Sequence, residues 1–373
     1  MYNKTLISMP LKKNGSLKAI DFFCGGGGMT CGLRQAGIDV IAGIDFDKEC
    51  EETYESNNKG SVFVHSDITT LNVDFLEKRF NIKKNDDELI FVGCSPCQYY
   101  SIINTSKEKA KKSKDLLLDF KRFIDYYRPG FVLVENVPGI MTQEDSALPE
   151  FLKYLNENGY VYDKKVVNMC YYGVPQNRRR FSLIATRLFS TITLPLPDKE
   201  CKSVRDCIGV HNGFPRIEAG HIDQSDFFHS VAGIKDLNRE RLSLTPHDGG
   251  TRAAWKDNSK LQLKCYVGRD NSFKDGYGRL FWDRPSSTIT TKFFNISNGR
   301  FAHPEEDRAI SIREGATLQS FPINYGEFYQ FNLSSCIRQQ NSLTAQFVSF
   351  SLSNLANIFY PPPIFTIINL CLL

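Results

Sequence analysis

The chain has 373 residues, which is enough for one large domain and a second, smaller one. Its apolar fraction of 41% and charged fraction of 24% disfavour a disordered chain, and no apolar run is long enough to span a bilayer. The first 18 residues lack the apolar core of a signal peptide. The eleven cysteines lack the paired spacing of a zinc site, which predicts free thiols, no metal and a cytoplasmic location. The formal charge of +4 permits a nucleic-acid partner without requiring one.

The N-terminal segment is typical of the first unit of a nucleotide-binding α/β fold. Residues 16–23 are strand-like and run into the glycines at 25–28, after which residues 29–36 resemble a helix. A flexible turn is the alternative interpretation of such glycines. A second apolar run, 40–44, ends in Asp45, about 20 residues after the glycines, where these folds place an acid for ribose hydroxyls. Since the glycine spacing is not that of the dinucleotide fingerprint, a cofactor without phosphates is favoured.

A thiol follows the apolar run 88–92. This run ends in glycine and is followed by Pro96 and Cys97, which is typical of a buried strand that delivers a loop at the carboxyl edge of a parallel sheet. Pro96 stiffens the backbone before Cys97, so the sulfur is expected to point in a set direction. Taken alone, Cys97 could equally be a buried structural cysteine.

A carboxyl group supplies the partner that the thiol needs. Residues 131–134 are apolar and run directly into Glu135 and Asn136. A carboxyl group at the end of a buried strand is partly desolvated, which favours its protonated form near neutral pH. Cys97 and Glu135 on neighbouring strand ends therefore predict covalent attack assisted by acid catalysis.

Pro96-Cys97-Gln98 and Glu135-Asn136-Val137 together resemble the catalytic motifs of the cytosine carbon-5 DNA methyltransferase family, of the bacterial and phage restriction-modification type. The resemblance covers about residues 16–322 and implies a doubly wound, Rossmann-like α/β fold that binds S-adenosylmethionine. It implies that Cys97 attacks carbon 6 of a flipped-out cytosine in double-stranded DNA, while Glu135 protonates or hydrogen-bonds ring nitrogen 3. Carbon 5 can then accept the methyl group.

The same resemblance implies a set of cofactor contacts spread along the chain. Phe23, Gly25 and Gly28 line the cofactor, Asp45 holds its ribose, and Asp67 with Ile68 addresses its adenine. The further contacts are Phe46, Pro96, Leu116 and Asn341. Leu116 is expected to open the helix that follows the nucleophile loop.

An arginine-rich segment precedes the strand predicted at 181–185. Residues spaced by two share one face of a strand, so Arg178 and Arg180 should point the same way and Arg179 the other. A generic basic patch is one interpretation. Gln176, Arg178 and Arg180 also match the family's Gln-x-Arg-x-Arg pattern, which implies that they orient the target base and Glu135.

The remaining segments suggest how the enzyme would hold DNA. Five lysines between 107 and 114 are expected to meet phosphates, although a solvated helix face would look the same. Residues 187–287 lack the periodic spacing of apolar residues that strands and helices show, which is typical of a loop-rich recognition region. Residues 284–291 and 312–322 resemble the family's late motifs, although Thr317 stands where the family usually has arginine.

The C-terminal segment departs from the family. Its closing Gly-Asn-Ala-Val-Pro-Pro turn corresponds here to residues 340–345, in which only Asn341 matches. We expect a catalytic and cofactor-binding domain, a target-recognition domain, a helical segment that packs back on the catalytic domain, and an apolar tail, at residues 1–188, 189–333, 334–358 and 359–373, respectively.

Several functions compete with DNA cytosine-5 methylation. A transfer-RNA cytosine-5 methyltransferase shares the fold and the chemistry, and the altered C-terminus would suit a catalytically silent DNA-binding relative. A nicotinamide-dependent dehydrogenase is a more distant alternative. For the favoured function, a cognate restriction endonuclease is an expected functional partner, and no membrane partner is expected.

Overall fold

A seven-stranded sheet dominates the computed structural model, which describes residues 17–96, 115–268, 273–290 and 292–325. The strands, β1 to β7, span Lys18–Phe22, Asp39–Asp45, Val62–His65, Leu89–Gly93, Phe131–Asn136, Val161–Asn168 and Arg179–Thr186. The α-helices, α1 to α7, span Gly28–Gln35, Glu51–Asn57, Phe75–Phe80, Leu116–Tyr127, Leu148–Glu157, Asp236–Ser243 and Ile312–Thr317. Short 3₁₀ helices span Lys48–Cys50, Pro138–Met141, Met169–Tyr172, Val210–Asn212, Arg252–Trp255, Lys264–Tyr266 and Ile296–Asn298.

The strand order is β3-β2-β1-β4-β5-β7-β6. Strands β1 to β5 pair in parallel, whereas β7 runs antiparallel to both β5 and β6. From β1 the chain builds β2 and β3 on one side, then crosses back to build β4 and β5 on the other. The order therefore reverses between β1 and β4, and open α/β sheets bind ligands at the carboxyl ends of the strands at such a point.

The sheet is covered on both faces because β1 and β4 are apolar at successive positions. Ile20 and Phe91 join the larger buried cluster, to which α4 contributes, whereas Ala19 and Val92 join the cluster that includes residues of α1. Such near-continuous apolar runs are expected of central parallel strands, whose two faces are both buried.

Phe22 lies at the centre of the larger cluster. Its ring centroid is 5.1 Å from those of Phe91, Phe120 and Phe123, and its side chain is fully buried. Gly93 leaves room for this packing at the end of β4, because a Cβ atom there would lie 2.6 Å from the ring of Phe120. The aromatic cluster therefore fixes α4 against the strands that carry the predicted site.

Beyond Thr186, the described residues contain two α-helices, α6 and α7, four short 3₁₀ helices, and otherwise turns and loops, so this region is loop-rich, as the sequence predicted. Two buried apolar clusters support these loops, one around Trp282 and Phe293 and the other around Trp255 and Tyr277. Arg279 is fully buried and donates hydrogen bonds to four carbonyl groups, those of Leu242, Thr245, His303 and Glu306. Hydrogen bonds from this side chain to backbone carbonyls thus hold the loops together in place of the strand-to-strand hydrogen bonds of a sheet.

The predicted limits of the catalytic and recognition domains stay predictions, and the segments 334–358 and 359–373 lie outside the described residues. In the part of the chain that the structure describes, none of the helices combines the length and the apolar character needed to cross a membrane.

The packing of Phe22 makes a stability prediction. Phe22→Ala should lower the free energy of unfolding by about 3–5 kcal/mol, because it leaves a cavity among three aromatic rings. Leu196→Ala is the matched control, since Leu196 is 83% exposed and its truncation should change stability by less than about 0.5 kcal/mol. Urea denaturation of the variants measures both changes, and equal effects would contradict the central position of Phe22.

Candidate functional site

The glycine loop begins where β1 ends. Phe23 and Gly25 have positive φ angles of 63° and 49°, and the N–H groups of Phe23 and Cys24 both donate to the carbonyl of Ile44, at 2.8 and 3.1 Å. An aromatic residue in the left-handed region costs free energy, so the neighbouring strand must impose this turn. Gly25 N–H then donates to Oδ2 of Asp45 at 2.8 Å. The structure therefore brings Phe23, Gly25 and Asp45 together at the switch point, and the buried Gly28 opens α1 directly behind them.

Asp45 ends β2 with both carboxylate oxygens engaged by backbone. Besides the bond from Gly25, Oδ1 accepts the N–H of Asp47 at 2.9 Å. Burial raises the pKa of this carboxyl group, and the bonds from Asp47 and Gly25 oppose that shift. Phe46 follows with a ring that is 66% exposed. A carboxylate beside an uncovered aromatic face fits a ribose and an adenine ring, as in S-adenosylmethionine.

Asp67 and Ile68 lie next to this pair because the N–H of Ser66 donates to the carbonyl of Asp45 at 2.8 Å. Oδ1 of Asp67 accepts both the N–H and the hydroxyl of Thr69, at 2.9 and 2.8 Å, which holds the carboxylate in place. Ile68 is buried. The ends of β1, β2 and β3 thus collect the predicted contacts for ribose and adenine along one edge.

Asp21 is a buried acid beneath this edge that the sequence analysis did not single out. Its Oδ2 accepts the hydroxyl of Thr30 at 2.8 Å, and Thr30 in turn contacts the hydroxyl of Tyr54 at 3.0 Å. Burial raises the pKa of Asp21 to about 7, with a further contribution from the nearby Asp45 carboxylate, while the bond from Thr30 lowers it. Asp21 directly precedes the aromatic pair Phe22-Phe23, and this position is the sequence signal that could have identified it as a buried acid.

Glu135 is buried at the carboxyl end of β5. The Nε atom of Arg180 lies 2.8 Å from Oε1 of Glu135 and forms an ion pair with it. Burial raises the pKa of Glu135, and the charges of Arg180 and Arg178 lower it in part. Arg179 is exposed, whereas Arg178 and Arg180 are largely covered, as the alternation predicted.

Asn136 connects β5 to the loop after β4. Its Nδ2 donates to the carbonyl and the hydroxyl oxygen of Ser95, at 3.2 and 3.1 Å, and its Oδ1 accepts the N–H of Val137 at 2.8 Å. Ser95 lies immediately before the half-buried Pro96. Asn136 thus fixes the backbone that leads to Cys97. Cys97 itself lies outside the described residues, and Ser95, which sequence reasoning passed over, stands in the same motif.

Gln176 and Arg178 connect the sheet to the loop-rich region that follows Thr186. Gln176 is fully buried, accepts the N–H of Ile289 at 3.2 Å and donates to the carbonyl of Leu318 at 3.3 Å. Arg178 Nη1 donates to Gln176 Oε1 and to the carbonyl of Ile289, both at 3.4 Å. The structure therefore brings Arg178 and Arg180 towards Glu135. The amide of Gln176 is instead used in hydrogen bonds between the sheet and the loop-rich region after it.

Of two further predicted cofactor contacts, Leu116 lies among the described residues and Asn341 does not. Leu116 is the first residue of α4, as predicted, and packs half-buried against the larger cluster. Asn341 and the lysines between 107 and 114 lie outside the described residues. Tyr325, which the sequence analysis did not identify, donates its hydroxyl to the carbonyl of Gly26 at 2.7 Å. The last described segment therefore reaches back to the glycine loop.

Comparison with known proteins agrees with this geometry. The model of the C-5 cytosine-specific DNA methylase family matches residues 17–349. The type II methylase M.HgiDII of Herpetosiphon aurantiacus is 36% identical over 310 residues, which cover 82% of this chain and 84% of that protein. The type II methyltransferase M1.BsuMI of Bacillus subtilis strain 168 is 26% identical over 352 residues, which cover 88% of this chain and 79% of that protein.

Solved structures show the same fold. A protein described as a DNA modification methyltransferase encoded within an E. coli prophage superimposes with a TM-score of 0.61 at 25% identity, covering 92% of this chain and 100% of that chain. The Dnmt2 methyltransferase of S. pombe superimposes with a TM-score of 0.60 at 18% identity, covering 93% of this chain and 100% of that chain. These similarities confirm the predicted Rossmann-like methyltransferase fold.

Asp21 generates a pH prediction. Its pKa is about 7 in the folded protein against an ordinary value of 3.8, so the folded state binds this proton more tightly than the unfolded chain does. The contribution of Asp21 to the free energy of unfolding therefore falls as the pH rises from about 4 to about 7. The stability of Asp21→Asn relative to the wild type should rise across this window, by up to about 4 kcal/mol, and stay level above it.

Urea denaturation between pH 4 and pH 8 measures this difference. Asp39→Asn, at the exposed start of β2, is the matched control for the removal of one negative charge from a strand of the same sheet. A difference between Asp21→Asn and the wild type that stays constant across the window would contradict the raised pKa.

Proposed function

The chain belongs to the C-5 cytosine-specific DNA methylase family and is a DNA cytosine-5 methyltransferase, and from this premise we propose that it methylates cytosine in a specific duplex sequence through a covalent adduct with Cys97. The observation that carries the proposal is the buried Glu135 carboxyl group beside Arg180, on the strand next to the one that leads to Cys97. An acid and a thiol at adjacent strand ends are what this chemistry requires.

S-Adenosylmethionine, when bound, supplies the electrophilic methyl group. The residues at the switch point fit it, because the Asp45 carboxylate and the exposed Phe46 ring offer one acceptor and one stacking face side by side. We assign its binding to the predicted contacts: Phe23, Gly25, Gly28, Asp45, Phe46, Asp67, Ile68, Pro96, Leu116 and Asn341.

Cys97 and Glu135 divide the activation of the cytosine between them. The Cys97 sulfur forms a bond to carbon 6, and Glu135 donates a proton or a hydrogen bond to nitrogen 3, so that the displaced electron pair makes carbon 5 nucleophilic. Burial supports this role for Glu135, because a raised pKa keeps the carboxyl group available as a donor. Once carbon 5 is methylated, its proton leaves to a base, the carbon–sulfur bond breaks and the aromatic ring is restored.

Arg180 and Asn136 act by positioning. Arg180 lies against Glu135 and stabilises the carboxylate that remains after proton donation. Asn136 holds the Ser95 backbone and hydroxyl, and through them the approach to Cys97. We assign Arg178 and Gln176 to the support of this arrangement from the recognition region.

The substrate must leave the duplex for this reaction, because carbon 6 is inaccessible within the base stack. We therefore propose that the target cytosine is flipped out of the DNA. The similarity to type II methyltransferases supports a role in the bacterial cytoplasm, where methylation would protect DNA from a cognate restriction endonuclease.

The covalent mechanism predicts the behaviour of Cys97→Ser. A serine hydroxyl is a far poorer nucleophile than a thiol at neutral pH, so transfer of labelled methyl groups to unmethylated plasmid DNA should fall by roughly 10³-fold or more. Cofactor binding, measured by calorimetry, should stay close to that of the wild type.

Plasmid DNA that carries 5-fluorocytosine tests the adduct itself. Carbon 5 then has no proton to release, so the wild-type protein should remain attached to the DNA in a denaturing gel and Cys97→Ser should not. A wild-type protein that methylates normal DNA but leaves no adduct would overturn the mechanism. Labelling of transfer RNA in place of DNA would support the RNA alternative.

The acid role predicts a different loss for Glu135→Gln. Removing the proton donor should slow single-turnover methyl transfer by about 10²- to 10⁴-fold, with little change in cofactor affinity. Glu144→Gln is the matched control, because Glu144 is an exposed carboxylate in the segment that follows β5. Single-turnover rates that are the same for both variants would argue against Glu135 as the acid.

A further inference from the structure

Ser182 is a buried polar side chain for which neither the fold nor the proposed mechanism has a use. It lies in β7, is 4% exposed, and its Oγ atom has no hydrogen-bond partner among the residues that the structure describes. Buried hydroxyl groups are nearly always paired, because a hydroxyl that leaves water without a new partner costs free energy. An unpaired hydroxyl inside the sheet therefore needs an explanation.

The pairing of β5 with β7 places Ser182 directly opposite Glu135. Opposite residues of an antiparallel pair share one face of the sheet, with their Cβ atoms about 4.5–5.5 Å apart. The packing agrees with this register, because Leu133 and Ile184, each two residues away along its strand, belong to one buried cluster. Rotation about χ1 of the serine can therefore turn its hydroxyl towards the carboxyl group on β5.

The other neighbours of Ser182 leave its hydroxyl to β5. On the β6 side it lies opposite Lys165, whose ammonium group pairs with Asp163 at 2.9 Å. Helix α1 contributes apolar side chains, Met29 and Leu33, to the cluster on this face of the sheet. The carboxyl group on β5 is thus the cross-strand group that the hydroxyl fits.

Glu135 is faced by two cations from β7 and by a thiol from the loop after β4. Arg180 lies 2.8 Å from its carboxyl group, and the charge of Arg178 also acts on it. Burial raises the pKa of the Cys94 thiol well above its usual range, with a contribution from the Glu135 charge, so this thiol stays neutral. The arginines can only donate hydrogen bonds, whereas a hydroxyl donates to a carboxylate and accepts from a protonated acid. A serine therefore suits both states of a proton donor.

We propose that Ser182 is a positioning residue for the acid: its hydroxyl donates to one carboxyl oxygen of Glu135 and leaves the other free for nitrogen 3 of the cytosine. Together with Arg180 it fixes the orientation of the carboxyl group, and its hydrogen bond strengthens when proton donation leaves a carboxylate. The inference rests on the proposed function, in which Glu135 is the acid, and it adds a residue that holds this acid.

Single-turnover methyl transfer to unmethylated plasmid DNA tests the proposal on the wild type, Ser182→Ala, Ser182→Thr and Thr53→Val. Ser182→Ala should slow transfer by roughly 10-fold, because the acid loses a charge-assisted hydrogen bond. Ser182→Thr keeps the hydroxyl and should stay within about threefold of the wild type. Thr53→Val is the matched control, since Thr53 in α2 also has a buried hydroxyl without a partner in the described part of the chain, and its rate should equal that of the wild type.

The pH dependence of the same rates separates positioning of the acid from a structural role. A donor to the carboxylate favours its charged form, so loss of the donor raises the pKa of Glu135 and the acid form persists to higher pH. The alkaline limb of the Ser182→Ala profile should therefore move to higher pH by about 0.5–1 pH unit, whereas that of Ser182→Thr should not move. The melting temperature of Ser182→Ala should not fall, because the hydroxyl is unpaired in the free protein.

A Ser182→Ala variant with the wild-type rate and an unmoved alkaline limb would overturn the role of Ser182. A lowered melting temperature of Ser182→Ala, or an equal loss of rate in Thr53→Val, would overturn it as well. The Ser182→Ala profile decides even if the extra methyl group of threonine disturbs the packing of Ser182→Thr. Each of these outcomes leaves the proposed function intact, whereas a Glu135→Gln variant with the wild-type single-turnover rate would contradict the proposed function itself.

Discussion

The carboxyl group of Glu135 is buried at the end of an apolar strand, where an unpaired charge would cost several kcal/mol. Arg180 reduces that cost but does not cancel it, and the pKa of Glu135 stays raised. The geometry depends on the direction of β7. Since β7 runs antiparallel to β5, with Asn136 opposite Phe181, its first residues lie at the carboxyl end of β5. A parallel strand in this place would have carried Arg180 to the opposite edge of the sheet.

The switch point between β1 and β4 imposes a second constraint. It makes the glycine loop and the loop after β4 neighbours, so that the cofactor contacts and the approach to Cys97 share one edge. Long-range hydrogen bonds then hold these two loops: Asn136, at the end of β5, holds Ser95, and Tyr325 holds Gly26. A site assembled from so many strand ends needs such bonds, because each loop alone would be free to move.

Local patterns in the sequence were sufficient for much of this architecture. Apolar runs ending in glycine or an acid marked β1, β2, β4 and β5 to within about two residues, and Leu116 opens α4 as expected. Asp45 contacts the glycine loop, because residues that follow neighbouring parallel strands lie close together at the same edge of the sheet. These features depend on residues close together in the chain or on a regular crossover.

Other features could not be predicted because their partners are distant in the chain. Gln176 belongs to a recognisable pattern, yet its amide bonds to Leu318, 142 residues away. Asp21 resembles any polar residue in a strand until its burial is known. Burial and long-range hydrogen bonds are properties of the assembled fold rather than of a local pattern.

Direct titration of Glu135 is the measurement that tests the account most closely. Infrared difference spectra between the wild type and Glu135→Gln isolate the carboxyl band of this one residue as the pH is changed. The midpoint should lie above the ordinary value of 4.5, because burial outweighs the charges of Arg180 and Arg178. A midpoint at or below 4.5 would show that the arginines dominate, and Glu135 would then be a permanently charged carboxylate that cannot serve as the acid.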